Sequence, residues 1–294
     1  MVIEKELINR FDITALQDSF NESAMACGCE KEFWRKPKLV EYVRDQNPFD
    51  GITIITDKLL HIVPQVQATH KVAILQEPRE LLPQIYHNII QVEDNYDLIL
   101  THDNELLSRS EKYVFAPADA TIIKNEGCKV HHKSKLISMV YSNKTELFGH
   151  RLRHIIAKTM IPQMKLSCEV QFYGSGANKY VRDKLECLKD YRFQIVTENA
   201  QRDYYYTDKL LDCFITGTVP IYWGANNIGD FFNSKGILSF NHPNELKKIL
   251  TSIDEEKYNQ MIPYIEENFQ KATEYMFLDD IFYKTIRKGL HYEK

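Results

Sequence analysis

A lysine stands where a helix would ordinarily repel it. Residues 191–197 (YRFQIVT) read as a strand, Thr207 has the chemistry of a helix N-cap, and Gly217 can close that helix. Asp208 and Lys209 then fall in its first turn. The N-terminal end of a helix carries positive partial charge, so an ammonium there is unfavourable by itself. It becomes favourable when an anion binds at that end, because the amide N–H groups and the ammonium then act together. An exposed lysine without a ligand is the other reading of the same residue. Glu198, Asn199 and Tyr205 lie between the strand and this helix and would line the same place.

Two further clusters carry potential chemistry. Arg151 and Arg153 follow an apolar run at 136–141 and open a helix-like stretch over 149–160. Spaced by two, they point in different directions, so one can enter a cleft while the other faces solvent. A guanidinium fork matches phosphate oxygens in shape and charge. Glu77 follows a buried-looking strand and precedes Pro78. A carboxylate at a strand end can act as a general base, although most such glutamates are inert.

Composition and missing motifs narrow the chemistry. The formal net charge is −4 over 294 residues, which gives no overall basic balance for nucleic acid. The basic stretch of His131, His132, Lys133 and Lys135 reads as a solvated loop, and neither histidine has a visible nucleophile partner. No Asp-x-Asp triplet, phosphate-loop motif or complete Gly-x-Gly-x-x-Gly fingerprint occurs. Cys27 and Cys29 are the only closely spaced cysteines, too few for a zinc site, so the six cysteines read as free thiols and no metal is expected. The 17 tyrosines and 15 phenylalanines supply core volume and faces on which sugars stack.

The elements that would position these residues are α/β throughout. Strands are expected at 51–56, 71–76, 96–101 and 113–116, with a helix over 81–91. A second set follows at 136–141, 170–173, 191–197 and 219–223. Strands alternating with helical stretches imply parallel sheets. The expected organisation is an N-terminal Rossmann-like domain over 1–130 and a second over 131–294, facing a central cleft. Helices beyond 254 are expected to pack on the second sheet. In such folds ligands sit outside the carboxyl ends of the strands, where all the candidate residues fall.

Three stretches, YRFQIVTEN (191–199), YYTDK (205–209) and GTVPIYWG (217–224), together resemble the α1,3/4-fucosyltransferases of glycosyltransferase family 10. Ser142, Asn143 and Arg151 are similar to a weaker segment of that family, and Glu77-Pro78 to its acidic residue at the end of an N-domain strand. The resemblance implies a GT-B fold and inverting transfer of L-fucose from GDP-β-L-fucose to a hydroxyl of an oligosaccharide or glycan acceptor. It implies that Arg151 and Lys209 bind the diphosphate, that Glu198, Asn199 and Tyr205 lie along the donor, and that Asp208 contacts ribose or fucose hydroxyls. Glu77 would be the catalytic base, with no cofactor required. The family usually has glutamate at the position of Asp208, and the shorter side chain leaves open a different nucleotide-activated sugar. A catalytically silent sugar-binding protein is the reading outside enzymes. The N-terminal residues show no secretion signal, and no run approaches the ~20 apolar residues that cross a bilayer. The expectation is a soluble cytoplasmic enzyme of bacterial or viral origin.

Overall fold

The computed structural model describes residues 5–11, 35–166 and 168–291. Cys27 and Cys29 lie outside the described residues. The chain divides into two compact units, Met1–Ala120 with Phe277–Lys294, and Thr121–Met276.

The N-terminal unit is built on β1 (Glu6–Phe11), β2 (Val40–Arg44), β3 (Phe49–Thr56), β4 (Ala68–Ile74), β5 (Leu98–Thr101) and β6 (Tyr113–Phe115). They form one sheet in the order β2-β1-β3-β4-β5-β6, and each pairing is parallel. The β-branched run in β3 explains why it pairs centrally. Ile52, Ile54 and Ile55 are buried, and Ile54 lies beside Val72 of β4. Helix α1 (Pro83–Val92) starts on a proline, whose fixed φ suits the first turn. It buries Tyr86 and Ile89. Helix α2 (Asn104–Leu107) is a single turn capped by Asp103.

Strand β1 was not legible as a strand because its buried positions include Asn9 and Arg10. Asn9 is hydrogen-bonded, and Arg10 meets a ring and a carboxylate, with Asp279 Oδ1 3.9 Å from its Nη1. Asn9 donates to Gln46 O at 2.8 Å and Thr53 Oγ1 at 3.2 Å, while the Arg10 guanidinium lies 4.7 Å from the centre of the Tyr42 ring. Buried polar groups are tolerated on such terms.

The C-terminal unit contains β7 (Lys135–Val140), β8 (Gln171–Tyr173), β9 (Tyr191–Thr197), β10 (Val219–Trp223) and β11 (Leu238–Ser239). The sheet runs β11-β10-β9-β7-β8, again parallel. Around it lie α3 (Phe148–Ile155), α4 (Asp208–Thr216), α5 (Pro243–Ser252) and α6 (Glu255–Ala272). Read from β8, the order is 2-1-3-4-5, and the first sheet repeats it from β2 with one strand added. This is the flavodoxin-like variant of the doubly wound sheet, and its switch points fall between β1 and β3 and between β7 and β9.

The last helix, α7 (Leu278–Gly289), departs from expectation. It returns to the N-terminal sheet, where Leu278, Phe282 and Ile286 join the cluster formed by Ile8, Val40, Ile54 and Leu100. Each such side chain contributes about 1.5–3 kcal/mol when fully buried, so the apolar face of α7 decides where it docks. Asp280 reinforces that placement by accepting the amides of Lys38 at 2.9 Å and Leu39 at 3.0 Å. The compact units thus differ from the halves 1–130 and 131–294. Of the helices expected beyond 254, α6 does serve the second sheet, through Met261 and Ile265, beside Leu246 and Leu250 of α5.

The basic stretch before β7 also differs from a solvated loop. Lys133 is buried and donates to Leu188 O at 3.0 Å, Thr216 O at 2.9 Å and Thr218 Oγ1 at 2.9 Å. Its ammonium therefore ties the C-terminal end of α4 to the base of β9, where a cation suits the helix dipole.

Candidate functional site

Helix α4 begins where the sequence places it. Thr207 is the N-cap, and Gly217 closes the helix with φ 71°, a left-handed conformation that glycine adopts without strain. Glu198 sits beneath this start, fully buried. Its Oε1 accepts the Thr207 amide at 2.9 Å and its Oε2 accepts the Thr207 hydroxyl at 2.8 Å. Glu198 therefore positions the cap, with both oxygens engaged by Thr207. Lys209 extends its ammonium back over the cap. Its Nζ donates to Thr207 Oγ1 at 3.0 Å and lies 3.4 Å from Asp208 Oδ1 and 3.6 Å from Glu198 Oε2. The half-exposed ammonium and the first-turn amides thus lie together at one helix end, the arrangement that holds an anion.

The strand end beside this helix is fixed from α3. A Cβ on Gly149 would meet Glu198 O at 1.8 Å, so only glycine lets α3 approach β9 this closely. The Gly149 amide donates to Asn199 O at 3.2 Å. Of the two arginines, Arg153 is the one that turns inward. Its Nε donates to Thr197 O at 3.1 Å and Thr197 Oγ1 at 2.8 Å, and its Nη2 reaches Asn199 Oδ1 at 3.0 Å. Arg151, the expected phosphate ligand, is exposed, and its Nη1 donates to Thr145 O at 3.0 Å and Glu146 O at 2.8 Å. Tyr205 is buried between Glu198 and α4 in sequence, with 2% of its surface exposed. Glu198, Asn199, Arg153, Thr207 and Lys209 are joined by these contacts, while Arg151 stands outside them.

Asp208 is not alone. Its carboxylate is bonded to the ammonium of Lys184, which also reaches Asp212 Oδ2 at 3.1 Å. Burial opposes the charge on Asp208, but Lys184, followed by Lys209, outweighs it and holds the carboxyl well below the usual carboxylate range. Lys184 escaped sequence reasoning because it lies in a short turn (Lys184–Cys187) without a periodic pattern. One signal was present: Asp208 and Asp212 are spaced i, i+4 on a helix, and two like charges on one face call for a cation.

In the N-terminal unit, Glu77 follows β4 with its side chain exposed and its backbone pinned. Asp57 Oδ1 accepts the Gln76 amide at 3.0 Å, His102 Nε2 meets Gln76 O at 3.0 Å, and the Tyr86 hydroxyl donates to Glu77 O at 2.6 Å. Arg79, two residues on, forms a bidentate pair with buried Asp103 at 2.9 and 2.6 Å. Burial lowers the His102 pKa to about 4, so the ring is neutral at neutral pH and donates through Nε2. Burial raises the Asp57 carboxyl to about 7, with the charge of Glu77 adding to it. Asp57 directly follows β3 and holds a left-handed φ of 38°, uncommon for a residue with a side chain. The sequence signal for it was its position at a strand end. A cavity of about 440 Å3 opens beside Lys135, Gln171 and Tyr191. These are the first residues of β7, β8 and β9, away from the carboxyl ends where the doubly wound fold binds ligands.

Two parallel α/β sheets of this kind define the GT-B fold class. Within the chain, residues 130–275 match the glycosyltransferase family 10 (fucosyltransferase) C-terminal domain, and that segment belongs to the family. The chain is 37% identical over 78 residues to the alpha-(1,3)-fucosyltransferase FucT of Helicobacter pylori, covering 26% of this chain and 16% of that protein. It is 29% identical over 133 residues to 4-galactosyl-N-acetylglucosaminide 3-alpha-L-fucosyltransferase 9 of Mus musculus, covering 43% and 35% respectively. The chain thus spans about a third or less of the length of these curated relatives. Among solved structures, an alpha1,3-fucosyltransferase with GDP superposes with a TM-score of 0.57 at 16% identity, over 98% of this chain and 91% of that one. The structure of an alpha1,3-fucosyltransferase with GDP-fucose gives 0.57 at 15% identity, over 97% and 90%. At these identities the likeness is one of fold. Among the described residues, no helix is long and apolar enough to cross a membrane.

Proposed function

We propose that this chain is an inverting α1,3-fucosyltransferase that moves L-fucose from GDP-β-L-fucose to a hydroxyl of a glycan acceptor. The observation that carries the reading is the N-terminal end of α4, where the Lys209 ammonium sits over a threonine cap held by buried Glu198. This lies within the segment that belongs to family 10. The curated relatives are named for α1,3-fucosyl transfer, one of them onto a 4-galactosyl-N-acetylglucosaminide.

In this reading the donor's diphosphate lies against the first turn of α4. Lys209 and the turn's amides carry its charge, with exposed Arg151 adding a weaker contact from the solvent side and Asn199 and Tyr205 along the donor. The acceptor oxygen attacks the anomeric carbon from the face opposite the diphosphate, and Glu77 takes its proton. The C–O bond to GDP breaks as the new bond forms, so the β-linked donor gives an α-linked product. Negative charge grows on the departing phosphate, where preorganised cations and amides stabilise it most. No divalent ion is needed in this scheme, because side-chain cations meet the phosphate charge.

Asp208 favours a second donor reading. Its carboxylate is shorter than the family's glutamate and is already bonded to Lys184, so a hydroxyl contact to the sugar would compete with an ion pair. A donor with a different 6-deoxy or ordinary hexose is the alternative. The test is transfer from GDP-fucose to 4-galactosyl-N-acetylglucosaminide, with other nucleotide sugars in parallel and the anomeric configuration read by NMR. An α-fucosylated product from GDP-fucose is expected. Transfer from another nucleotide sugar alone, or a β-linked product, would overturn the assignment.

A further inference from the structure

Lys184 is a partly exposed cation beside the cap of α4. It binds two carboxylates that sit one turn apart on α4, Asp208 and Asp212. Asp212 is 1% exposed and is fixed independently, accepting the Thr121 hydroxyl at 2.7 Å and the Ile122 amide at 3.0 Å. Lys184 is thereby anchored on Asp212 and presents its charge to Asp208. Asp208 is in turn shared, with its other oxygen 3.4 Å from Lys209 Nζ.

The charges around the cap balance. Asp208, Asp212 and Glu198 are met by Lys184, Lys209 and Arg153. Without Lys184, the carboxylate of Asp208 keeps Lys209 as its one remaining cationic partner among these contacts. Lys209 would then be drawn into a closer pair. A diphosphate approaching α4 would have to break that pair and would also meet an uncompensated negative charge on the same turn. Ion pairing at such distances is strong enough to decide whether an ammonium is available.

We propose that Lys184 is a positioning residue of the donor site, holding the Asp208 carboxylate on the Asp212 side so that the Lys209 ammonium stays available to the donor's diphosphate. This rests on the reading of Lys209 as the diphosphate ligand. It assigns Asp208 a second function, as the carboxylate that must be restrained, and it makes the choice of aspartate meaningful, since the ion pair to Lys184 is formed at this side-chain length.

The experiment titrates inorganic pyrophosphate and GDP into wild type, Lys184→Met, Lys184→Arg and Lys184→Met with Asp208→Asn, following heat of binding. Pyrophosphate has no ribose or base, so it reports charge and not hydroxyl contacts. Lys184→Met is expected to weaken both ligands about tenfold or more, and Lys184→Arg to bind close to wild type. The double variant is expected to recover most of the lost pyrophosphate affinity, because the carboxylate that captures Lys209 is gone. A purely structural role predicts no recovery, since the double variant leaves buried Asp212 equally without its cation. Wild-type pyrophosphate affinity in Lys184→Met, or a double variant as weak as the single, would overturn the inference. Lys209→Ala, titrated in parallel, separates the two levels. Unchanged GDP binding there would overturn the diphosphate reading itself, whereas loss there with none in Lys184→Met would overturn the positioning role alone.

Discussion

The two units repeat one strand order but assemble their polar residues in different ways. In the C-terminal unit, the contacts that fix the cap of α4 run largely within one stretch of chain, from Thr197 through Glu198 and Asn199 to Thr207 and Lys209. In the N-terminal unit, the turn bearing Glu77 is pinned by groups from separate elements, namely Asp57 after β3, His102 after β5, and Tyr86 from α1. The polar cluster of the C-terminal unit is therefore the more local in sequence. An ammonium lies over the cap of α4 in the C-terminal unit, and an exposed carboxylate follows β4 in the N-terminal unit. That division matches a reaction in which one partner brings negative charge and the other must lose a proton.

The sharpest break of this comparison is Glu77→Gln. If the exposed carboxylate is the base, turnover falls by about 10²–10⁴-fold while GDP affinity, measured by calorimetry, stays at the wild-type value. Parallel loss of GDP binding would make Glu77 a structural residue. Next is Lys209→Ala, expected to lower turnover by about 10²–10³-fold with an unchanged circular dichroism spectrum. Arg151→Ala should cost about fivefold or less in donor KM, as befits an exposed charge. A loss as large as that of Lys209→Ala would show that the guanidinium leaves its loop carbonyls to hold the diphosphate.

Two smaller effects compare the units through stability. Thr207→Ala removes the cap of α4 and should cost about 1 kcal/mol in urea unfolding, with Glu198 left buried without its hydroxyl partner. For Asp57 the effect depends on pH. Its carboxyl is raised from 3.8 to about 7 in the folded chain. Between those values the folded state holds more protons than the unfolded state, so stability falls as pH rises through that window. Asp57→Asn keeps an oxygen for the Gln76 amide but has no proton to lose. Its thermal midpoint relative to wild type should therefore climb across the same window. A constant difference would place the Asp57 pKa near its ordinary value.

Much of the fold was legible because its signals are local. The β-branched run of β3, the apolar run of β7, and the Thr207 and Gly217 caps of α4 each act within a few residues of themselves. Other features depend on partners far away in sequence. Strand β1 hides behind buried Asn9 and Arg10, whose acceptability depends on Gln46, Thr53 and Tyr42. Helix α7 has an ordinary amphipathic pattern, which cannot say which sheet it covers. Lys133 looked solvated because its three acceptors come from 188, 216 and 218. In the candidate site, Lys209 stood out through its conflict with the helix dipole. Arg153 was one of two arginines that spacing alone could not rank, and Lys184 gave no signal beyond the paired acids it neutralises.

The central claim is that the first turn of α4, with Lys209, grips the diphosphate of a guanosine nucleotide sugar. The most direct test titrates GDP and guanosine into wild type and Lys209→Ala. The account predicts that GDP binds wild type and weakens at least about tenfold in the variant, while guanosine, which lacks phosphates, binds both alike. Equal GDP affinity in the two proteins would contradict it.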